Sequence, residues 1–313
     1  MPVSQEIIQR TIDKMVRSQA KKKEITEYLE TNKPHLLGSI WKKGRIKDCC
    51  NVLIFRDYLN GDQKLYKSNF CKYDKFCLAC ATRRSIKMIQ KFEAGIIQYG
   101  LDTKQRYHIT LTVKHNKGQT LDFLMDKLWK AKEKLAQRFR NSKRVNHKTK
   151  SFMNNFDGIV SSVEVTYSQK GGRHPHIHML VCTDKEIPIE WSKKLTAHSN
   201  RELQKEWYQI TGDSYSVGIR KVEVNKDNYN RKGIGEVFKY AVKFSNLDTP
   251  QLTEVIEIQQ IKKYRFFATY GIFRGWKIEK SSIMDNDMFV EKTFEFGTSE
   301  YGERDARDSA MHS

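Results

Sequence analysis

No apolar run in the sequence is long enough to cross a membrane. The longest, such as Ile159 to Val165 and Ile177 to Cys182, are strand-sized and broken by polar residues, against the ~18–20 residues a spanning helix needs. No secretory leader is expected either: MPVSQEIIQRTIDKMVRS spaces its apolar residues helically among charges, with no h-region or cleavage site, and reads as structure and not as a signal peptide. A cytoplasmic protein is therefore expected, its six cysteines reduced and available for metal or chemistry, not for a disulfide framework. There are no internal repeats and no low-complexity linkers. The helicase signature GxxxxGK(S/T) is absent, so separating nucleic-acid strands would call for a partner. Acidic residues are the scarce charge, with 37 Asp and Glu against 57 Lys and Arg for a net +20. That surplus points to a polyanionic partner, nucleic acid first. It is uneven, because eight acidic and three basic residues in 281–313 leave +25 on residues 1–280.

The 313 residues, 38% hydrophobic, suffice for one large domain or two modest ones. Residues 5–30 read as one or two short amphipathic helices with a break at Lys21-Lys22-Lys23. A cysteine-punctuated stretch from Cys49 to Cys80 continues into a basic helix with Ile86, Ile89, Phe92 and Ile96 on one face. YHITLTV (107–113) alternates as a strand does, and the following run reads as a long helix capped by Thr120. GIVSSVEVTYS (158–168) and HPHIHMLVC (174–182) flank a Gly-Gly turn and predict an antiparallel hairpin. Residues 191–210 read as a helix, SVGIRKVEV as a strand, and Gly235 to Phe244 as a short helix. Adjacent strands with irregularly inserted helices predict an α+β antiparallel sheet, not a doubly wound one.

The histidine strand carries the most chemistry. Period-2 geometry puts His174, His176 and His178 on one face, with Ile177 and Met179 on the other. Converging imidazoles suit zinc and other transition metals, and a carboxylate would shift the preference toward Mg or Mn. Glu164 is the candidate carboxylate, since the hairpin brings it opposite the histidines. The competing reading is that these are ordinary hydrogen-bonded histidines; three of nine alternating in one strand favour a metal site.

In EVFKYAVK (236–243), i,i+4 spacing stacks Glu236 beneath Tyr240, with Lys239 and Lys243 in a row beside them. A phenol with a carboxylate one turn away has the parts for nucleophilic catalysis. Alone, the segment reads better as an amphipathic helix with a core tyrosine. Combined with a divalent ion on His176, His178 and Glu164, Tyr240 has what DNA phosphotransesterification requires.

Cys71, Cys77 and Cys80, with Cys49 or Cys50 upstream, supply four thiolates for a structural zinc. The alternative is buried reduced cysteines, the reading given to Cys182. Arg83, Arg84 and Lys87 follow the Cys77–Cys80 knuckle on a helix, placed either to grip phosphates or to form a solvated face.

In five ordered places the sequence resembles the rolling-circle replication initiators of Gram-positive plasmids, within the HUH endonuclease superfamily. ITLTVKH (109–115) resembles the first family motif, and EVTYS followed by HPHIHML resembles the metal-binding second. EVFKYAVKF (236–244) is similar to the third, FCKYDKFCLACATRRSIK (70–87) to the cysteine segment, and RFFATYGIF (265–273) to a late aromatic-Gly segment. Departures are Leu78 for the usual Pro, Cys50 for a common Gly, Ala241 for a frequent Pro and Phe244 for a typical Asp.

The resemblance implies an HUH fold over 101–280; helices and a cysteine-rich region precede it over 1–100, and the acidic tail, 281–313, is read from its composition as disordered or as a DNA mimic. It implies His176 and His178 as paired ligands of Mg²⁺ or Mn²⁺, with His174 nearby. It implies Tyr240 as the nucleophile that leaves a 5′-phosphotyrosine and a free 3′ hydroxyl primer on origin DNA, single-stranded or in a hairpin. Glu236 would activate water at termination, and a host helicase and polymerase would take part. Other readings are a relaxase or single-tyrosine transposase with the same chemistry, and a non-catalytic zinc-stabilised DNA-binding regulator. A histidine-triad nucleotide hydrolase leaves the basic body, the cysteines and Tyr240 unused.

Overall fold

The computed structural model describes residues 5–40, 46–58, 63–74, 77–116, 118–144, 150–168, 172–192, 197–222, 237–238, 247–277, 289–296 and 301–304. The chain divides into two compact units, Met1–Arg84 with Glu279–Ser313, and Ser85–Ile278. The sequence alone places the divisions after residues 100 and 280. Among the described residues no helix is long and apolar enough to cross a membrane.

The first unit opens on α1 (Gln5–Asn32) and α2 (Pro34–Ile40). The three lysines do not break α1, contrary to the sequence reading. Lysine is a good helix former, Lys21 pairs with Glu24 at 3.0 Å, and the buried Lys22 donates to the carbonyls of Cys49 at 2.5 Å and Ile46 at 3.3 Å. A four-stranded antiparallel sheet has the order β11-β10-β1-β2, from β1 (Val52–Tyr58), β2 (Gln63–Ser68), β10 (Phe289–Phe296) and β11 (Tyr301–Arg304). Part of the acidic segment is thus sheet. Arg56 on β1 pairs with Glu291 on β10 at 2.9 Å, and Phe55 meets Phe294 edge to face at 5.6 Å.

The second unit is built on an antiparallel sheet of order β8-β3-β5-β4-β9, which makes the protein α+β. Its strands are β3 (Gln105–Thr112), β4 (Gly158–Tyr167), β5 (Arg173–Thr183), β8 (Ser216–Lys221) and β9 (Phe267–Gly271). Helix α3 (Leu78–Gln98) runs across the boundary between the units. Helix α4 (Leu121–Ser142) starts where expected, Thr120 accepting from the Phe123 amide. Its Leu135 and Ala136 cover Ile159, Ile177 and Met179 on one face of the sheet. On the opposite face, Phe92 and Ile96 of α3 pack with Val160, Leu180, Val237, Phe238 and Phe273.

The helix expected over 191–210 begins only at Arg201. Asn200 caps α5 (Arg201–Thr211) by accepting from the Leu203 amide at 3.0 Å. Before it lies a hairpin of β6 (Glu190–Ser192) and β7 (Ala197–Ser199), in which Trp191 sits opposite His198. A last helix, α6 (Thr249–Lys262), opens on a capping box between Asp248 and Gln251.

Candidate functional site

Strand register builds the histidine face. β5 runs between β3 and β4, so Thr112 and Glu164 flank His176 while Thr110 and Ser162 flank His178. Side chains alternate across a sheet, which puts these six residues on the face away from α4. His178 Nε2 lies 2.7 Å from Glu164 Oε2, and Glu164 is buried. His176 shares the face, its ring 6.1 Å from that of His178. Its Nδ1 lies 3.0 Å from Thr112 Oγ1 and its Nε2 2.9 Å from Thr166 Oγ1. His174 is farther along, edge-on to His115 at 4.0 Å. Burial and the neighbouring His115 hold its pKa below the ordinary imidazole value, which favours the neutral, electron-donating ring.

Two imidazoles and a carboxylate on one face are donor types that metals accept, the imidazoles suiting transition metals and the carboxylate Mg or Mn, but among the described residues only the four cysteines bring three or more ligand atoms within 4.8 Å of one another. Glu164 and His178 are in contact, whereas His176 turns its Nε2 to Thr166. Spacing alone did not single out Thr110, Thr112, His108 and His115. The alternation of YHITLTV carried that signal, since His108, Thr110 and Thr112 fall on one face. His108 stacks on His178 at 5.3 Å.

Tyr240, Glu236, Lys239 and Lys243 lie outside the described residues. Val237 and Phe238 lie inside them. Both are buried on the histidine-bearing face, and the Ser85 hydroxyl donates to the Phe238 carbonyl.

The four cysteines of the first unit form the second centre. Cys49, Cys71, Cys77 and Cys80 are buried with all sulfurs within 4.8 Å of one another. Cys77 and Cys80 lie 3.5 Å and 3.6 Å from Cys49, and Cys71 lies 3.5 Å from Cys80. Zinc–sulfur bonds of about 2.3 Å in a tetrahedron put sulfurs ~3.8 Å apart, so the cluster fits Zn²⁺. Cys49 belongs to the set, and Cys50, whose backbone is left-handed at φ 62, does not. The amides of Cys71 and Tyr73 donate to the sulfurs of Cys49 and Cys71, the support a thiolate needs. Hydrogen bonds from Cys49, Cys71 and Cys80 hold the Cys77 thiol far below its ordinary pKa. Cys182 is plain buried core.

Of the basic residues beyond the knuckle, Arg83 lies over the Phe70 ring at 4.3 Å and Arg84 pairs with Asp74. Lys87 is exposed on α3.

The chain belongs to a recognisable class. A family model described as "Replication protein" matches residues 62–307, and the chain belongs to that family, the plasmid rolling-circle replication initiators. "Protein rep" of Streptococcus pneumoniae serotype 2 is 29% identical over 256 residues, covering 78% of this chain and 74% of that protein. "Protein rep" of Lentilactobacillus hilgardii is 27% identical over 217 residues, covering 66% and 64%. No solved structure matches the chain.

Proposed function

We propose that this replication initiator nicks one strand of origin DNA by metal-dependent transesterification, within an HUH endonuclease fold. The observation that carries the reading is the Glu164–His178 contact of 2.7 Å, with His176 beside it, on a polar stretch of a sheet face that is otherwise core. Packing supports it further, because Val237 and Phe238 are anchored on that same face two residues before Tyr240. His176, His178 and Glu164 would hold Mg²⁺ or Mn²⁺, which when bound supplies Lewis-acid polarisation of a phosphodiester oxygen.

Tyr240 Oη forms a bond to phosphorus as the bond from phosphorus to the 3′ oxygen breaks. The phenol gives up its proton and the departing oxygen takes one, leaving a 5′-phosphotyrosine and a free 3′ hydroxyl. At termination the Glu236 carboxylate accepts a proton from the water that releases the covalent strand. The +20 chain holds the DNA backbone, with Arg83, Arg84, Lys87, Lys239 and Lys243 as candidate contacts. Zinc at Cys49, Cys71, Cys77 and Cys80 would be structural. The setting is the cytoplasm, with a host helicase and polymerase as partners.

The test incubates purified protein and Mn²⁺ with labelled single-stranded oligonucleotides tiled across the replicon that encodes it. A metal-dependent covalent adduct that is lost in Tyr240→Phe establishes the reading. DNA binding with no adduct on any oligonucleotide overturns it in favour of a non-catalytic regulator.

A further inference from the structure

On the histidine face, toward its β8 edge, lies an open cleft of about 400 Å³ that shares His178 with the proposed metal site but whose other lining residues have no role in the chemistry at Tyr240. Its walls include Trp191, His198, Arg220, His108 and His178, and its floor includes Gly218. This volume falls in the ~300–1,000 Å³ range of small-molecule sites. Trp191 is 58% exposed, unusual for so large an apolar ring. The His198 ring stands edge-on to it at 5.1 Å. Among the described residues that line the cleft, none is acidic. A flat aromatic surface with imidazoles and a guanidinium, and no carboxylate among the described lining residues, fits a planar ring joined to an anionic phosphate.

The cleft wall is held in place. Ser199, next to His198, donates its hydroxyl to the Val217 carbonyl on β8 at 2.9 Å, and Gln204 of α5 donates to that hydroxyl at 2.8 Å. Asn200 ties the same corner to the Pro188 carbonyl at 2.9 Å. The hairpin therefore presents Trp191 from a fixed frame, which lowers the ordering cost of binding. Gly218 leaves the floor open, since a Cβ there would meet only the Thr110 Cβ, at 3.8 Å.

We infer that this cleft is a nucleotide subsite that takes one unpaired base of the DNA strand beside the scissile phosphate. The base stacks on Trp191, and Arg220 lies within reach of the backbone. The inference rests on the nicking reading for its position next to His178, while the cleft's chemistry stands by itself. Stacking of a base on an aromatic side chain is sequence-tolerant, so the subsite grips the strand and does not read it.

Binding of fluorescein-labelled oligothymidylate to the full chain, followed by anisotropy without added metal, separates the two ideas. Trp191→Ala is expected to weaken binding about 5- to 150-fold, the span found for losing one aromatic stack, and Trp191→Phe to restore most of it. Gly218→Val fills the cleft with a residue that strands favour, and is expected to weaken binding similarly. On an oligonucleotide that forms the adduct, removing the stacked base should slow the wild type and leave Trp191→Ala unchanged. If Trp191→Ala and Gly218→Val bind oligothymidylate as the wild type does, the subsite is wrong, whatever the adduct assay shows. If they bind weakly and the wild type forms no adduct on any oligonucleotide, the subsite stands and the nicking reading falls.

Discussion

Glu164 Oε2 lies 2.7 Å from His178 Nε2, from neighbouring antiparallel strands, so a carboxylate and an imidazole are within hydrogen-bond distance at the position proposed for the cation. Glu164→Gln keeps the shape and removes the negative charge. The Mn²⁺ concentration for half-maximal adduct formation should rise by at least the ~10- to 100-fold that loss of an outer-shell partner alone costs, with the thermal midpoint nearly unchanged. An unchanged Mn²⁺ requirement would remove Glu164 from the ligand set. His178→Ala should lose Mn²⁺ binding by calorimetry as well as adduct formation.

That relationship was legible because strand periodicity and one hairpin determine it. HPHIHML alternates cleanly, and a turn near Gly171 leaves little choice about which residue of 158–168 faces His176. Long-range pairing was not legible. VLIFRDY of β1 finds its partner in the acidic segment near the far end of the chain, where the Arg56–Glu291 pair and the Phe55–Phe294 contact fix register. Local composition there registers charge, not the alternating Phe294 and Phe296. Residues 191–210 read as one helix, but the Asn200 cap moves the helix start to Arg201 and leaves Trp191 on a hairpin.

The cysteine centre predicts about one zinc per chain in protein purified without chelator. Cys77→Ser and Cys80→Ser should each lose the metal, while Cys50→Ser should keep it, by elemental analysis. Because structural zinc contributes about 10 kcal/mol or more in small domains, metal loss should unfold the segment around it. Hydrogen exchange in α1 and β1 should then rise, since Lys22 and Gln19 of α1 both donate to the Cys49 carbonyl. Retention of zinc by Cys77→Ser would refute the assignment.

At Gly271, the end of β9, the backbone has φ 63 and approaches Asp157 closely. A Cβ there would collide with the Asp157 carbonyl and lie 2.8 Å from the Phe139 ring. Gly271→Ala should therefore destabilise the second unit by about 2–4 kcal/mol, left-handed strain adding to overpacking. Gly100→Ala is the control: φ is 61, but nothing lies within 4 Å of the added carbon, so only the left-handed strain of about 1–2 kcal/mol is expected. Urea midpoints at constant m-value distinguish the two.

Lys132 gives a pH signature of the packing between α4 and the sheet. The side chain is buried, its Nζ 3.1 Å from the Arg265 carbonyl and 4.3 Å from the Trp129 ring centre. Burial and the positive charge of Arg265 push its pKa down from 10.5 to about 8. Between these values the unfolded chain binds the proton that the folded chain has released, so stability rises with pH across about 8 to 10.5. Below about 8 both states are protonated and the full penalty of a buried ammonium applies. Lys132→Met fills nearly the same volume without the charge. It should stabilise the protein by about 2–3 kcal/mol at neutral pH, less what the lost hydrogen bond to Arg265 contributed, and the advantage should shrink toward zero as pH approaches 10.5. Urea titrations of both proteins at several pH values measure the difference directly. A stability difference that stays flat across that range would mean that Lys132 keeps its ordinary pKa and that water reaches it under α4.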